Sequence, residues 1–419
     1  MTAGPVTVRV VLPDGDELEA GTLRFSAGRG HETAVFAYAS SYLADPRAYS
    51  LDPALPLTSG VHATGPGQRL FGAMGDSAPD RWGQGLLARA ERRAAVGEGR
   101  PSRALLDSDL LLGVHDDLRQ GAIRYTSASG DYVAGTERGV PRPVDLPHLL
   151  ALTDRLVRDP ATDADLRDLV DAGSSLGGAR PKAAVRTTSG VLRIAKFPKV
   201  VADEWDVPAW EKVTLDLAAA AGITVPRSDL VRVLDRNVLL IDRFDRVGER
   251  RVGYLSAMSL LELDGRTDGL SFAELAEEAG AVAARPDADL HELWRRAVFG
   301  LMVSNTDNHL RNHGFLRERS GWSISPAFDL NPNPDAARFA TSVGPGGGDD
   351  METALDVADG FSLTRPRALA IMGDVLAGVE QWRVVAARLG IEAAQIAVMA
   401  PAFESQRTGQ ARALSRALR

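Results

Sequence analysis

Asp307 and Asn312 stand five residues apart in the run SNTDNHLRNH, residues 304–313, a polar segment between an apolar stretch of helical spacing (290–303) and a strand-like one (315–316). A polar run held between buried elements favours function over packing. Phosphoryl transfer to a hydroxyl needs a carboxylate to accept the proton of the attacking group and an amide oxygen on the same loop to hold Mg²⁺. Asp307 and Asn312 have that spacing. A pair of strand-like runs, 314–317 and 322–325, then leads into Ala327-Phe328-Asp329-Leu330, where a second carboxylate, Asp329, would reach a metal bridging phosphates.

Upstream, VLRIAKF places Lys196 at the end of an apolar strand, where an ammonium needs an anion to meet it, and nucleotide phosphates would serve. Glu211, fifteen residues on and inside a helix, could pair with Lys196 as the helix glutamate of protein kinases pairs with its lysine. Before Lys196, SSLGGARPK (174–182) joins a helix to a strand, and Gly177 and Gly178 would let backbone amides approach phosphate oxygens. The order of glycine loop, lysine, helix glutamate, Asp…Asn and Asp is the kinase order.

Each piece alone also has a plainer reading. A Gly-Gly pair is usually a turn, Lys196 could be a strand end whose ammonium reaches solvent, and Asp307 with Asn312 could cap a helix or a turn. Glu211 alone reads as a solvated helix charge and Asp329 as an Asx-turn before Asn331-Pro332. Five pieces in one order outweigh these. His309 and His313 at i and i+4 beside Asp307 suggest metal ligands, but HExxH is absent, no third ligand is evident, and Gly314 with the neighbouring Asn residues argues against a continuous helix. Neither GxxxxGK[ST] nor GxSxG occurs, so P-loop and serine-hydrolase chemistry have no anchor.

These residues need elements to hold them. Strand-like runs at 6–11, 33–39 and 123–125, with helical spacing over 79–96, predict a β-rich N-terminal part, residues 1–125. Residues 127–146 are polar and rich in Gly and Pro and mark a boundary. Helical spacing over 147–172, strand-like runs at 183–187, 191–197, 230–233 and 238–241, and a helix over 208–221 stopped by Gly222 and Pro226 predict a second part, 147–244. From 245 to 419 the chain turns helical, over 260–263, 272–279, 290–303, 366–389 and 394–403, and the glycine run 344–348 before Asp349 and Asp350 reads as a mobile loop. The fold class expected is α+β, with β-rich N-terminal subdomains followed by an α-helical C-terminal lobe.

Composition bounds the chemistry. The 419 residues are 44% hydrophobic and 25% charged, ordinary for a globular chain of two or three domains. The absence of cysteine excludes disulfides, cysteine zinc clusters, cysteine-ligated iron–sulfur sites and a thiol nucleophile. A net charge of −8, from 48 basic and 56 acidic residues, gives no global attraction for nucleic acid, so such contact needs a local patch or a partner protein. The first residues, MTAGPVTVRVVLPDG, lack a basic start and a long apolar run, and the apolar stretches 217–225 and 297–303 are far short of a bilayer span. The expectation is a cytoplasmic protein with no membrane contact.

The sequence resembles the HipA family, the serine/threonine kinase toxins of bacterial HipBA toxin–antitoxin systems, over nearly its whole length. SSLGGARPK is similar to the family's autophosphorylated glycine-rich loop, AKFP to its ATP-lysine strand, EKVTLDLAAAAGITVP to its helix, LLIDRFDR to its hinge, SNTDNHLRNHGFL to its catalytic loop and AFDL to its metal-binding turn. FAYASSYL, ALPL and GDSAPDRWG resemble its N-terminal subdomain. The strings NxDxHxxN and IDRFDR together are specific.

The resemblance implies a kinase-like fold with ATP between a β-rich part and a helical lobe. It implies Asp307 as catalytic base, Asn312 and Asp329 as Mg²⁺ ligands, His309 and Phe328 near the nucleotide, and Lys196 on the phosphates with Glu211 as its ion-pair partner. Asp242, Arg243 and Phe244 would form the hinge to adenine, and Gly177, Gly178, Ala179, Arg180, Pro181 and Lys182 would cover the phosphates. Ser175, or the adjacent Ser174, would be autophosphorylated. ATP and Mg²⁺ are the cofactors implied, a HipB-like DNA-binding antitoxin the partner, DNA a contact only through that antitoxin, and an aminoacyl-tRNA synthetase a protein substrate known for the family. Arg311 stands where the family loop usually has Lys, which keeps charge and alters geometry. The metal turn is Phe-Asp-Leu, unlike the Asp-Phe-Gly of eukaryotic kinases. Two other readings stay open on sequence: a nucleotide-binding, non-catalytic partner of an antitoxin, and a small-molecule kinase.

Overall fold

The structure, a computed structural model, describes residues 4–27, 32–65, 67–134, 145–158, 162–172, 180–199, 203–263, 270–335 and 338–416. The chain divides into two compact units: Met1–Ala202 with Val233–Arg236 and Leu240–Asp264, and Asp203–Arg232 with Asn237–Leu239 and Gly265–Arg419. Among the described residues no helix is long and apolar enough to cross a membrane.

The first unit opens on an antiparallel sheet of β1 (Val6–Val11), β2 (Glu17–Ala27), β3 (Glu32–Tyr38), β4 (His62–Ala63) and β5 (Ile123–Thr126), in the order β4-β3-β2-β1-β5. Along β3, Ala34, Phe36 and Tyr38 are buried while the residues between them are partly exposed, the period of a strand with one face on a core. Gly21 in β2 is required by packing, since a Cβ there would lie 2.1 Å from the Ala37 carbonyl oxygen. Helices α1 (Ser40–Ala44), α2 (Gly72–Asp76), α3 (Arg81–Gly97), α4 (Asp107–Leu112), α5 (Leu146–Arg158) and α6 (Asp163–Ala172) also belong to this unit. Asp80 caps α3 by accepting the Gly83 amide at 2.7 Å.

β6 (Lys182–Arg186) and β7 (Leu192–Lys196) form an antiparallel hairpin. After α7 (Val207–Ala220), which lies in the second unit, β8 (Ser228–Val233) and β9 (Arg236–Asp242) complete a sheet in the order β6-β7-β9-β8, and the division between units falls along these last two strands. A short hairpin of β10 (Arg246–Val247) and β11 (Arg250–Arg251), then β12 (Tyr254–Ser256) and α8 (Ala257–Leu260), end the first unit.

The second unit is built on helices. Asp206 caps α7 at the Ala209 amide, Pro208 occupies its first turn, and Gly222 (φ +78°) follows its end, as the Pro and Gly of the sequence predict. Trp210 of α7 is fully buried, its ring centroid 6.0 Å from that of Phe403. α9 (Phe272–Val282) and α10 (Pro286–Met302) precede the hairpin β13 (Gly314–Arg317) and β14 (Trp322–Ile324). α11 (Met351–Asp356), α12 (Arg365–Val379), α13 (Trp382–Arg388), α14 (Ala393–Phe403) and α15 (Gln406–Arg416) complete it. The periodic run over 366–389 is two helices, parted at Glu380 and Gln381. The glycine run 344–348 forms a turn closed by the Val343 amide on the Gly348 carbonyl at 3.1 Å. The architecture is the α+β arrangement expected, β-rich at the start and helical at the end.

Candidate active site

α10 ends at Met302, and Ser304 takes a left-handed conformation (φ +51°) that turns the chain sharply into the polar run. From there burial alternates. Asn308 and Leu310 point inward, while Asp307, His309 and Arg311 are exposed. The Asp307 side chain keeps 80% of its surface and His309 49%. Nε2 of His309 lies 2.6 Å from Oδ1 of Asp307. That hydrogen bond raises the His309 pKa above its ordinary 6.5, against a smaller lowering by burial, and the negative charge of Asp329 adds to the rise. Nδ2 of Asn312 donates to the Asp307 backbone carbonyl at 3.2 Å, so the loop's carboxylate and its amide are tied in one turn.

Asp329 follows β14 and is itself left-handed (φ +57°), a conformation that Asp tolerates better than most residues. Its Oδ1 accepts Nδ2 of Asn331 at 3.1 Å. Three bonds stitch this turn to the loop: the Asn331 amide on Asn305 Oδ1 at 3.3 Å, the Asn333 amide on the Ser304 carbonyl at 3.1 Å, and Asn333 Nδ2 on Thr306 Oγ1 at 2.9 Å. Asn305, Thr306, Asn331 and Asn333 are the positioning residues that spacing alone did not single out. The only sequence signal for them was the density of Asn around Asp307 and Asp329.

The donors available to a metal here are the Asp329 carboxylate and the Asn312 amide oxygen, with the Asn331 Oδ1 atom buried and lacking a hydrogen-bond partner nearby. Hard oxygens in this number fit Mg²⁺, which takes one or two protein ligands and completes its shell with water and phosphate. Zinc has no such fit. Among the described residues no three His, Cys, Asp or Glu side chains gather, and residues 310–312 form only a single 3₁₀ turn, so His309 and His313 share no helix face.

His313 is buried with both ring nitrogens unpartnered, its ring edge-on to Phe272 at 4.9 Å. Burial, helped by the charge of Arg296, lowers its pKa to about 3, so the ring is neutral. A cavity of about 10 Å³, roughly the space of one water, is lined by His313, Arg296, Asn308, Asn312 and Phe328 among others. Arg296 donates to Glu292 and to the Ser325 carbonyl at 2.6 Å, which links α10 to the segment entering the Asp329 turn.

The remaining expected residues occupy other elements. Lys196 ends β7, partly exposed, and lies directly opposite Lys182 at the start of β6. Pro181 is buried and Arg180 partly so, and the Pro181 carbonyl accepts the Phe197 amide at 3.0 Å. Lys182 is buried with Nζ 2.7 Å from Asp80, an ion pair the sequence did not announce. Asp242 pairs with Arg193, and Phe244 sits near the Tyr254 ring. The Arg243 guanidinium is fully buried, donating to Asp245 at 2.8 Å and to the Leu118 carbonyl at 2.7 Å. Arg251 and Arg246 also reach the Arg119 carbonyl, so the segment around Arg243 is fastened by guanidinium groups. Glu211 is buried on α7 in the second unit. Ser174, Ser175, Gly177, Gly178 and Ala179 lie outside the described residues.

A model of the HipA-like C-terminal domain matches residues 174–383, half of the chain and the part that carries Lys196, Asp307, Asn312 and Asp329. Two curated proteins match shorter stretches. One, Y4mE of Sinorhizobium fredii, named as a kinase, is 28% identical over 157 residues, 35% of this chain. The other, the serine/threonine-protein kinase toxin HipA of Shewanella oneidensis, is 26% identical over 167 residues, 34% of this chain. Each match spans 36% of the relative's own length. In three dimensions the chain is similar to a solved structure of the Shewanella oneidensis toxin–antitoxin complex of HipA, HipB and operator DNA, with a TM-score of 0.63 at 16% identity over 98% of this chain and 97% of that one. On the family match over half its length, and with a fold shared from end to end, the chain belongs to the HipA family.

Proposed function

We propose that this protein is an ATP- and Mg²⁺-dependent serine/threonine protein kinase. The observation that carries the reading is the pairing of an exposed Asp307 with Asn312 on a loop bonded through Asn305, Thr306 and Ser304 to the turn of Asp329. Catalysis of this kind is positioning and electrostatics more than covalent chemistry. Asp307 orients the acceptor hydroxyl and takes its proton, and His309 restrains that carboxylate. Asn312 and Asp329 would hold Mg²⁺, which when bound neutralises charge on the phosphates. Lys196 meets the phosphates from the end of β7, residues 177–182 cover them, and the backbone of Asp242 and Phe244 meets adenine.

A protein hydroxyl is the acceptor in this reading, and Ser175 or Ser174 is its site in the protein itself. Phosphate there would add about −1.5 to −2 charge beside a nucleotide, which gives self-inactivation by repulsion. The solved relative stands in complex with HipB and DNA, which supports a HipB-like antitoxin as partner here and DNA contact through it. Transfer from Mg²⁺-ATP to protein acceptors, compared with antibiotic and sugar acceptors and with Asp307→Asn as control, tests the reading. Transfer to small molecules alone would replace it with a small-molecule kinase.

A further inference from the structure

Oγ of Ser304 donates to the Ala402 carbonyl at 2.9 Å, and Oγ1 of Thr408 donates to the Met302 carbonyl at 3.2 Å. Both bonds are buried, and they span 98 and 106 residues of sequence. They run in opposite directions between the same two regions. Ala402 lies in the last turn of α14 and Met302 ends α10, positions whose carbonyls have no amide ahead of them in their own helix. The carbonyls just before Met302 are taken locally, Phe299 by the Val303 amide, Gly300 by the Asn305 amide and Leu301 by the Ser304 amide. Met302 takes the hydroxyl of Thr408, which stands in the first turn of α15.

Ser304 makes further ties through its backbone. Its carbonyl accepts the Thr306 amide at 2.9 Å within the candidate loop and the Asn333 amide at 3.1 Å from the segment after Asp329. One residue therefore joins α14, the loop of Asp307 and the turn of Asp329. Its backbone is held at φ +51°, where glycine sits without steric cost and serine is strained. Strain of this kind persists only where the surroundings over-determine it. What serine brings to this position and glycine cannot is the hydroxyl, and that hydroxyl is engaged by α14.

We propose that Ser304 and Thr408 are positioning residues for phosphoryl transfer, and that α14 with α15 is the brace they fasten to the entry of the catalytic loop. The inference rests on the reading of residues 304–313 as the loop that performs transfer. It extends the catalytic unit to residues 393–416, beyond the stretch 174–383 that the HipA-like domain covers. Without either bond the end of α10 and its left-handed turn gain alternative conformations, and Asp307 occupies the productive geometry in fewer molecules. Both hydroxyls are buried and bonded to carbonyls, so the loss falls on kcat more than on nucleotide affinity.

The test measures transfer from Mg²⁺-ATP to protein acceptors, together with amide hydrogen exchange, in the full-chain parent, Ser304→Gly, Thr408→Val and Thr408→Ser. Ser304→Gly suits the left-handed backbone and removes the hydroxyl, Thr408→Val keeps the shape of the side chain, and Thr408→Ser keeps the hydroxyl. Ser304→Gly and Thr408→Val are expected to lower kcat about tenfold or more with KM for ATP within about threefold of the parent's. Amides of residues 305–313 and 331–333 should exchange about tenfold faster, while those of α9 and of the sheet of β1, β2 and β3 keep the parent's rates. Thr408→Ser should recover most of the rate lost in Thr408→Val. Should Thr408→Val fail to fold, Ser304→Gly still decides. Parent-like kcat in a folded Ser304→Gly, or faster exchange spread evenly over α9 and the loop, would reduce the two bonds to general stability and overturn the proposal. A parent that transfers phosphate to no acceptor overturns the kinase reading and the positioning role with it; an active parent beside equally active variants overturns the inference alone.

Discussion

Nε2 of His309 stands 2.6 Å from Oδ1 of Asp307 on the exposed edge of the loop, so the candidate base is held by a group whose own charge depends on pH. The Asp307 hydrogen bond raises the His309 pKa, and imidazolium persists above pH 6.5. Whatever stability the charged pair adds is present below the unfolded value and lost as pH rises through the raised folded value. With both side chains this exposed, that contribution is small. On the proposed role of Asp307 as base the effect on transfer is the larger one, because imidazolium would compete for the oxygen that takes the proton.

The rate of transfer should therefore rise with pH through an inflection above 6.5. In His309→Gln that inflection should vanish. The measurement is kcat against pH for both proteins, and an inflection unchanged in the variant would remove His309 from the assignment.

His313 gives a second pH effect of opposite origin. Its pKa of about 3 in the fold lies below the ordinary 6.5, so the unfolded chain binds more protons between these values and stability falls as pH drops through that window. Between about pH 7 and pH 5 the loss is on the order of 2 kcal/mol. Because neither ring nitrogen has a hydrogen-bond partner, His313→Leu should fold and flatten the acid side of the stability curve. Denaturant midpoints at the two pH values check this, and an equal fall in the variant would assign the acid sensitivity elsewhere.

Asp329 separates backbone from charge. At φ +57° an Asn is tolerated and an Ala is strained, so Asp329→Asn should keep the parent's thermal midpoint while Asp329→Ala loses about 1 kcal/mol. Both should lose transfer and require far more Mg²⁺ for what remains. A Mg²⁺ titration of activity in Asp329→Asn that overlays the parent's would take the metal role from this carboxylate.

Part of the candidate site's geometry was legible because it is local in sequence. Asp307 with Asn312 sits within one loop, Lys196 ends a strand of readable apolar pattern, and Gly222 after α7 is a helix stop that composition announces. What escaped reading is set by tertiary contact. The Asn305–Asn331 and Thr306–Asn333 bonds depend on where two loops meet, and Asp80 finds Lys182 only after the hairpin is placed. β2 was unreadable for a different reason. Glu17, Glu19 and Gly21 blur its alternation, yet neighbours on both sides, β1 and β3, hold it in the sheet. The helix α15, polar over most of its length, likewise shows too little apolar period to be found and is held by packing on α12.

Asp307→Asn should lower the rate of phosphoryl transfer by about 10²–10⁴-fold while the dissociation constant of Mg²⁺-ATP stays near the parent's, since the amide keeps the shape of the loop and loses only the proton acceptor. Equal rates in the two proteins would end the assignment of Asp307 as base.

The most direct measurement is intact mass with peptide mapping of the parent and Asp307→Asn after incubation with Mg²⁺-ATP. The account predicts phosphate on Ser174 or Ser175 in the parent alone. Phosphate in both proteins alike, or none in a parent that binds ATP, would contradict it.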